Sequence, residues 1–154
     1  RLYRFADRNP AIRIRATSYT HDALVLGHFR RFIAINGALE VDITGQVNAE
    51  TAQGRHIGLV GGQMDFVRAA NRAAEGRSII AMQSTNRDRT RSRIVAKLAD
   101  GVVTTPRAEA DLVVTEHGIA ELRGRTLSEC ARALVSIADP AFRAELERAN
   151  ERLV

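Results

Sequence analysis

His56–Ala70, HIGLVGGQMDFVRAA, decides the fold. Its first half, HIGLVGG, reads as a short buried strand. From Met64 to Ala74 the pattern turns helical, with Phe66, Val67, Ala70 and Ala73 or Ala74 on one face. Gly76 sits where a C-terminal cap belongs. A strand that runs through two glycines into a helix is a building unit of α/β domains. The glycines fit neither phosphate template: Lys-Ser/Thr does not follow Gly62, and the order G-x-x-G-G-Q-x-D is not G-x-G-x-x-G. Two successive glycines before a helix still leave backbone N–H groups uncovered, able to meet an oxyanion or a thioester oxygen. Asp65 in the first turn suits the helix dipole and opposes a bound polyanion. On these residues alone, the stretch is either a strand-to-helix turn or a binding loop.

Outward from it, RSIIAMQST (77–85) reads as a strand ending in hydroxyl residues, and SRIVAKL (92–98), GVVTT (101–105) and ADLVVTE (110–116) as three more. Upstream, Leu39, Val41 and Ile43 alternate with Glu40 and Asp42, and Thr44-Gly45 turns the chain back through Gln46–Ala49 as a hairpin. Residues 1–31 read as loop with one short strand. The tail is helical. Thr126 and Glu129 have capping-box spacing, Leu127, Cys130, Ala131, Leu134, Val135 and Ala138 form an apolar stripe, and Asp139-Pro140 starts a last helix. The expected class is therefore α/β, an open mixed or mostly parallel sheet flanked by helices. In such sheets ligands sit at the carboxyl ends of strands, which points to Gly61-Gly62, Ser84-Thr85, Thr104-Thr105 and Thr115-Glu116.

With 154 residues, 45% hydrophobic and 27% charged, the chain suits one soluble globular domain. No apolar run approaches the roughly 18 residues of a membrane span. The start, RLYRFADRNP, carries neither Met nor a hydrophobic signal, so the chain reads as an excised piece, the C-terminal half of something longer. The single cysteine, Cys130, excludes an internal disulfide and fits a reducing cytoplasm; it reads as a core residue. The net charge of +5 is carried along the whole chain by arginines, Lys97 excepted. With only 5% aromatic residues and no Trp, base-stacking platforms are scarce. A diffuse Arg-rich surface and an anion site for a phosphorylated small molecule both remain open.

Several residues are candidates for chemistry. Arg87, Arg89, Arg91 and Arg93 have period two, which in an extended segment forms a one-sided phosphate clamp and otherwise a solvated loop. Glu116 lies just past a buried strand, placed either for site chemistry or to stabilise a helix start. Asn36, an amide in an apolar strand, needs a hydrogen-bond partner, structural or substrate. His21, His28, His56 and His117 lack metal spacing, so no metal is assigned. No G-x-S-x-G elbow is present.

These pieces in this order resemble the C-terminal domain of the acetyl-CoA hydrolase/transferase family, which includes acetate, succinate and 4-hydroxybutyrate CoA-transferases. The matching stretches are NPAIRIRATSYTHD, FIAINGALEVDITGQVNAE, GLVGGQMDFVRAA, GRSIIAMQST, SRIV, DGVVTTPRAEADLVVTEHGIAELRG and ARALVSIADPAFRAEL, nearly the whole chain. The family often has glycine in the loop before SRIV, where this chain carries RDRTR, and tends to have Arg where Cys130 stands. The resemblance implies a CoA-transferase-like α/β fold and CoA exchange between an acyl-CoA and a small carboxylate through a glutamyl-CoA thioester. Interception by water makes the net reaction hydrolysis. It implies that the nucleophilic glutamate lies upstream, in an N-terminal domain absent from this chain. Gly61 and Gly62 would line the thioester, Asn36 would contact the acyl or carboxylate group, and Glu116 would be a second carboxylate that helps without attacking. Ser92 and Arg93 would lie near the CoA tail. Coenzyme A is expected as substrate and not as a resident cofactor, in a cytoplasmic homo-oligomer without nucleic-acid or membrane partners. The rival expectation is a non-catalytic basic module that binds anions or nucleic acid.

Overall fold

The structure, a computed structural model, describes residues 1–151. Residues 1–31 carry no strand and fold as three short helices, α1 (Leu2–Ala6), α2 (Thr17–Thr20) and α3 (Ala23–Gly27). The Asp22 carboxylate accepts from the backbone N–H groups of Leu24 (2.7 Å) and Val25 (3.3 Å) and so caps α3. Leu26 is the buried anchor of that helix.

Strands β1 (Ile33–Asn36), β2 (Glu40–Asp42) and β3 (Val47–Asn48) follow. The expected hairpin forms between β2 and β3. Asp42 Oδ1 accepts from the N–H groups of Thr44 and Gln46, and Gly45 at φ +90° closes the turn. A small antiparallel pair, β4 (Thr51–Ala52) and β5 (Arg55–His56), leads to the glycine loop.

HIGLVGG departs from its reading as a buried strand: beyond His56 it is irregular, and Ile57, Leu59 and Val60 are exposed. Apolar composition signals burial against something, and no described element covers these three side chains. Helix α4 (Gln63–Arg72) then buries Val67, Ala69 and Ala70, with Phe66 half-buried. Gly76 follows three residues after the helix's C-cap, Ala73, and lies so close to the Ala70 carbonyl that a Cβ there would sit 2.1 Å from the oxygen.

Strand β6 (Arg77–Ala81) comes next, then β7, which is only Ile94–Val95 within the longer SRIVAKL. GVVTT also fails to form a strand. Thr104 and Thr105 are buried there as partners of the Val47 backbone, and the valines lie in irregular chain. Strand β8 (Leu112–Thr115) forms as expected and turns directly into β9 (Gly118–Glu121). Glu116 therefore sits in a two-residue hairpin turn and not at a helix start. The tail is helical as read: α5 (Leu127–Ser136) carries the reciprocal Thr126–Glu129 capping box, and Asp139 caps α6 (Pro140–Asn150) with Pro140 at its first turn.

The main sheet has the order β1-β6-β8-β9, its first three strands parallel and β9 antiparallel. A second sheet, β3-β2-β7, packs beside it. The core joins Val41, Ile80, Ile94 and Val113 of the sheets, and Ile43 just past β2, to Ala131 and Leu134 of α5. Cys130 belongs to it, 7% exposed; burial pushes its thiol above the ordinary range. The mixed α/β class is as expected.

Candidate active site

The carboxyl ends of β1, β6 and β8 lie at one end of the parallel sheet, which carries Asn36, Ser84 and Glu116. Helix α4 leads back to the amino end of β6, so its own amino end, with Gly61 and Gly62, is at that same end. Of the residues singled out in the sequence, Asn36, Glu116, Gly61 and Gly62 therefore share one end of the sheet, as the carboxyl-end rule requires.

Glu116 is held by Ser84. The Ser84 backbone N–H donates to Glu116 Oε2 at 2.9 Å and the Ser84 hydroxyl to Oε1 at 2.7 Å. Burial pushes the Glu116 carboxyl up, but these bonds and one from its own backbone outweigh it and leave the pKa below the ordinary value. The side chain stays 47% exposed, an ionised carboxylate facing outward with a fixed orientation. His117 Nε2 lies 3.8 Å from Glu116 Oε1 and 3.8 Å from Asp139 Oδ2. The backbone amide of Ala141 and then Arg89 hold the Asp139 carboxyl low, Arg89 Nη2 donating to Asp139 Oδ2 at 3.1 Å. A chain of groups thus runs from Glu116 through His117 to Asp139 and Arg89.

Asn36 ends β1, paired in register with Ile80. Its Nδ2 is buried with no hydrogen-bond partner among the described residues. An unsatisfied buried amide costs on the order of 1–3 kcal/mol, so of its two readings the intramolecular bond is absent.

The two glycines differ. Gly61 has φ +53° and open space where a side chain would go, the nearest atom being Leu59 O at 3.9 Å. Gly62 caps α4, and a Cβ on it would meet His21 Nε2 at 2.1 Å. The His21 ring packs on Phe66 with centroids 4.7 Å apart, and its Nδ1 lies 3.0 Å from Thr20 Oγ1. Gly62 is small because an imidazole occupies the space beside it. Sequence reasoning missed this, since nothing local links His21 to the loop. Gln63 Nε2 donates to Thr105 Oγ1 at 3.0 Å, tying the loop to the buried threonines.

Ser92 and Arg93 line a separate cleft of about 540 Å³, together with Glu40, Arg91, Phe142 and Leu146. It connects to the Glu116 region through the backbone, where Arg93 N–H donates to Ser84 O at 2.8 Å. The one-sided arginine clamp does not form. Asn86 Oδ1 accepts from the N–H groups of Thr90 and Arg91 and curls the segment into a turn. Arg89 adopts φ +55° and reaches Asp139, while Arg91 and Arg93 face the cleft. Among the described residues no three His, Cys, Asp or Glu side chains gather to hold a metal ion, and no helix is long and apolar enough to cross a membrane.

The model of the acetyl-CoA hydrolase/transferase C-terminal domain matches residues 1–150. The 4-hydroxybutyrate coenzyme A transferase of Clostridium kluyveri is 43% identical over 147 residues, 95% of this chain and 34% of that protein. The crystal structure of RipA from Yersinia pestis superposes with a TM-score of 0.91 at 38% identity, over 99% of this chain and 34% of that one. The 4-hydroxybutyrate CoA-transferase of Porphyromonas gingivalis superposes with a TM-score of 0.81 at 40% identity, over 99% and 35% respectively. The chain thus spans about a third of the length of the proteins it matches.

Proposed function

The chain belongs to the acetyl-CoA hydrolase/transferase family as its C-terminal domain, and from that premise we propose that it is the CoA-engaging part of an enzyme that moves CoA from an acyl-CoA to a carboxylate or to water. Coenzyme A is substrate. The working partner is an N-terminal domain, which supplies the nucleophilic glutamate, and the assembly is a homo-oligomer.

The chemistry divides one difficult exchange into easier acyl transfers. The glutamate carboxylate attacks the thioester carbonyl, expelling CoA thiolate and leaving an acyl-glutamyl anhydride. The thiolate attacks the anhydride at the glutamyl carbonyl, releasing the acyl carboxylate and forming glutamyl-CoA. An acceptor carboxylate then runs the sequence in reverse; water in its place frees CoA. The backbone of Gly61, open on its side-chain side, stabilises the developing oxyanion, and Gly62 keeps that loop tight against His21. Asn36 Nδ2 donates to the acyl or carboxylate oxygen. Glu116, ionised and oriented by Ser84, positions the exchanging groups without attacking. Ser92 and Arg93 contact the CoA tail along the cleft.

The observation that carries this reading is the buried, partnerless Nδ2 of Asn36 at the sheet end that also holds Glu116 and the glycine loop. The test joins this chain to the amino-terminal part of the Clostridium kluyveri relative, in place of that protein's matching region, and follows acyl-CoA exchange by chromatography. The joined protein should transfer CoA and the isolated 154 residues should not. Robust transfer by the isolated chain would make another residue, Glu116 first, the nucleophile. Unchanged turnover in a Gly61→Val joined protein would remove the oxyanion role.

A further inference from the structure

Residues 84–93 form a loop that is closed at its base. Arg93 N–H donates to Ser84 O at 2.8 Å, Thr85 and Ser92 pair as an isolated bridge, and Asn86 N–H donates to Arg91 O at 3.0 Å. The base of this loop holds Glu116 through the two Ser84 donors. Its tip holds a second group. Arg89 stands at φ +55°, a left-handed conformation that is strained for a residue with a Cβ. From there its guanidinium reaches 50 residues along the chain to Asp139 Oδ2.

An ion pair between two surface side chains contributes little. This pair is different, because Arg89 is 75% exposed but the Asp139 side chain only 8%. The same Oδ2 lies 3.8 Å from His117 Nε2, and that nitrogen lies 3.8 Å from Glu116 Oε1. The surrounding backbone is fixed without Arg89. The Thr115 hydroxyl donates to Ile137 O at 2.6 Å and accepts from His117 N–H at 3.1 Å, and a Cβ on Gly118 would press on Ile137 at 3.3 Å. Asp139 caps α6 with its other oxygen, Oδ1, which accepts from Ala141 N–H at 3.0 Å. Arg89 is therefore needed neither for the turn nor for the helix cap. What it sets is the oxygen that faces His117.

We propose that Arg89 is a positioning residue for Glu116: by holding Asp139 Oδ2 beside His117, it keeps the imidazole, and through it the Glu116 carboxylate, in one setting. The loop whose Arg91 and Arg93 line the cleft thereby grips the site carboxylate twice, through Ser84 directly and through Arg89 by way of Asp139 and His117. What Glu116 does rests on the function proposed above; what sets it rests on these contacts alone.

Two measurements test the proposal. Arg89→Asn removes the guanidinium and tolerates the left-handed backbone, whereas Arg89→Lys keeps the charge. Both replace a mostly exposed side chain and should fold. In NMR spectra of the chain, Arg89→Asn should shift the His117 ring signals and the Glu116 carboxyl carbon, although Arg89 bonds to neither. Arg89→Lys should restore most of the native positions, and Arg87→Asn, from the same loop, should move neither signal. Changes confined to Asp139 and the first turn of α6 overturn the proposal. In the joined protein, with acetyl-CoA as donor and butyrate as acceptor, Arg89→Asn should lower kcat about fivefold, the size of one partly exposed charge-assisted bond. KM for acetyl-CoA should stay within about twofold, and the substitution should add nothing to Glu116→Gln. A raised KM with kcat intact overturns the proposal, since Arg89 would then contact CoA itself. So does a loss that adds in full to that of Glu116→Gln. The two readings fail separately: the NMR shifts are read whether or not the joined protein turns over, whereas Glu116→Gln without effect on turnover removes the proposed function alone.

Discussion

Replacing Gly62 by Ala tests the architecture of the glycine loop at its tightest point. The new Cβ would lie 2.1 Å from His21 Nε2, 2.4 Å from His21 Cδ2 and 3.2 Å from Phe66 Cε2. The helix tolerates Ala at its N-cap at a cost of a few tenths to about 1 kcal/mol relative to Gly, so the larger effect comes from the imidazole. His21 has to swing away, losing its bond with Thr20, about 1 kcal/mol, and its contact with Phe66, about 0.5–1.5 kcal/mol. The total is about 2 kcal/mol, which for a chain of this size lowers Tm by roughly 4–8 °C. His21→Ala alone discards the same contacts and should cost a similar amount. The double variant should then lose little more than either single one, a coupling of about 2 kcal/mol. Calorimetry or circular-dichroism melts of the four proteins read the cycle. Additive losses would show that the ring is not what this glycine accommodates. Gly61→Ala is the internal contrast, with open space but φ +53°, and should cost only the left-handed strain of about 1–2 kcal/mol, unaffected by His21→Ala.

Ser84→Ala removes the hydroxyl donor to Glu116 and leaves the backbone donor. Because Glu116 is half exposed, the loss lies at the low end for a charged acceptor, about 1 kcal/mol, or a roughly fivefold weaker preference for the ionised form. The Glu116 carboxyl, held low in the native chain, should titrate closer to the ordinary value in a carboxyl-detected NMR titration. A group depressed by folding adds stability above its unfolded pKa and loses it as pH falls through the folded one. The native chain should therefore keep an advantage over Ser84→Ala at neutral pH that fades on acidification, and a pH-independent difference would refute the bond's role. Gly76→Ala pushes a Cβ to 2.1 Å from the Ala70 carbonyl, a backbone atom that cannot step aside, and should cost about 1–3 kcal/mol by overpacking; an unchanged Tm would contradict the packing.

The elements legible in the sequence were those whose signals are local and chemical. Helix α5 announces itself through Thr126 and Glu129, α6 through Asp139-Pro140, and the β2–β3 turn through Asp42, Thr44 and Gly45; each depends on bonds made within a few residues. Strand β8 was legible from its apolar run, whereas β9 escaped because Gly118, Ile119, Ala120 and Glu121 carry neither a long apolar run nor a turn signal. The misreading of Ile57–Val60 has a different cause. Apolar composition reports that a segment is to be covered but not by what, and in this chain the cover is not supplied by the described residues. Of the candidate site, the carboxyl-end rule pointed to Glu116 and the glycines from the apolar runs that precede them, and Asn36 stood out as an amide in an apolar strand. Ser84 as the holder of Glu116 and His21 as the neighbour of Gly62 needed the fold, because both contacts join segments distant in the chain.

On the proposed function, the sheet end bearing Glu116 engages an acyl-CoA without providing the nucleophile. This is tested by acyl-CoA exchange in the joined protein carrying Glu116→Gln, read alongside mass spectrometry of the protein after incubation with acyl-CoA. A fall in kcat of at least about a hundredfold is expected, the size seen when one preorganised polar group is lost from a site, with a covalent CoA adduct still forming on the amino-terminal part. Unchanged turnover, or loss of an adduct that had resided on Glu116 itself, would contradict it.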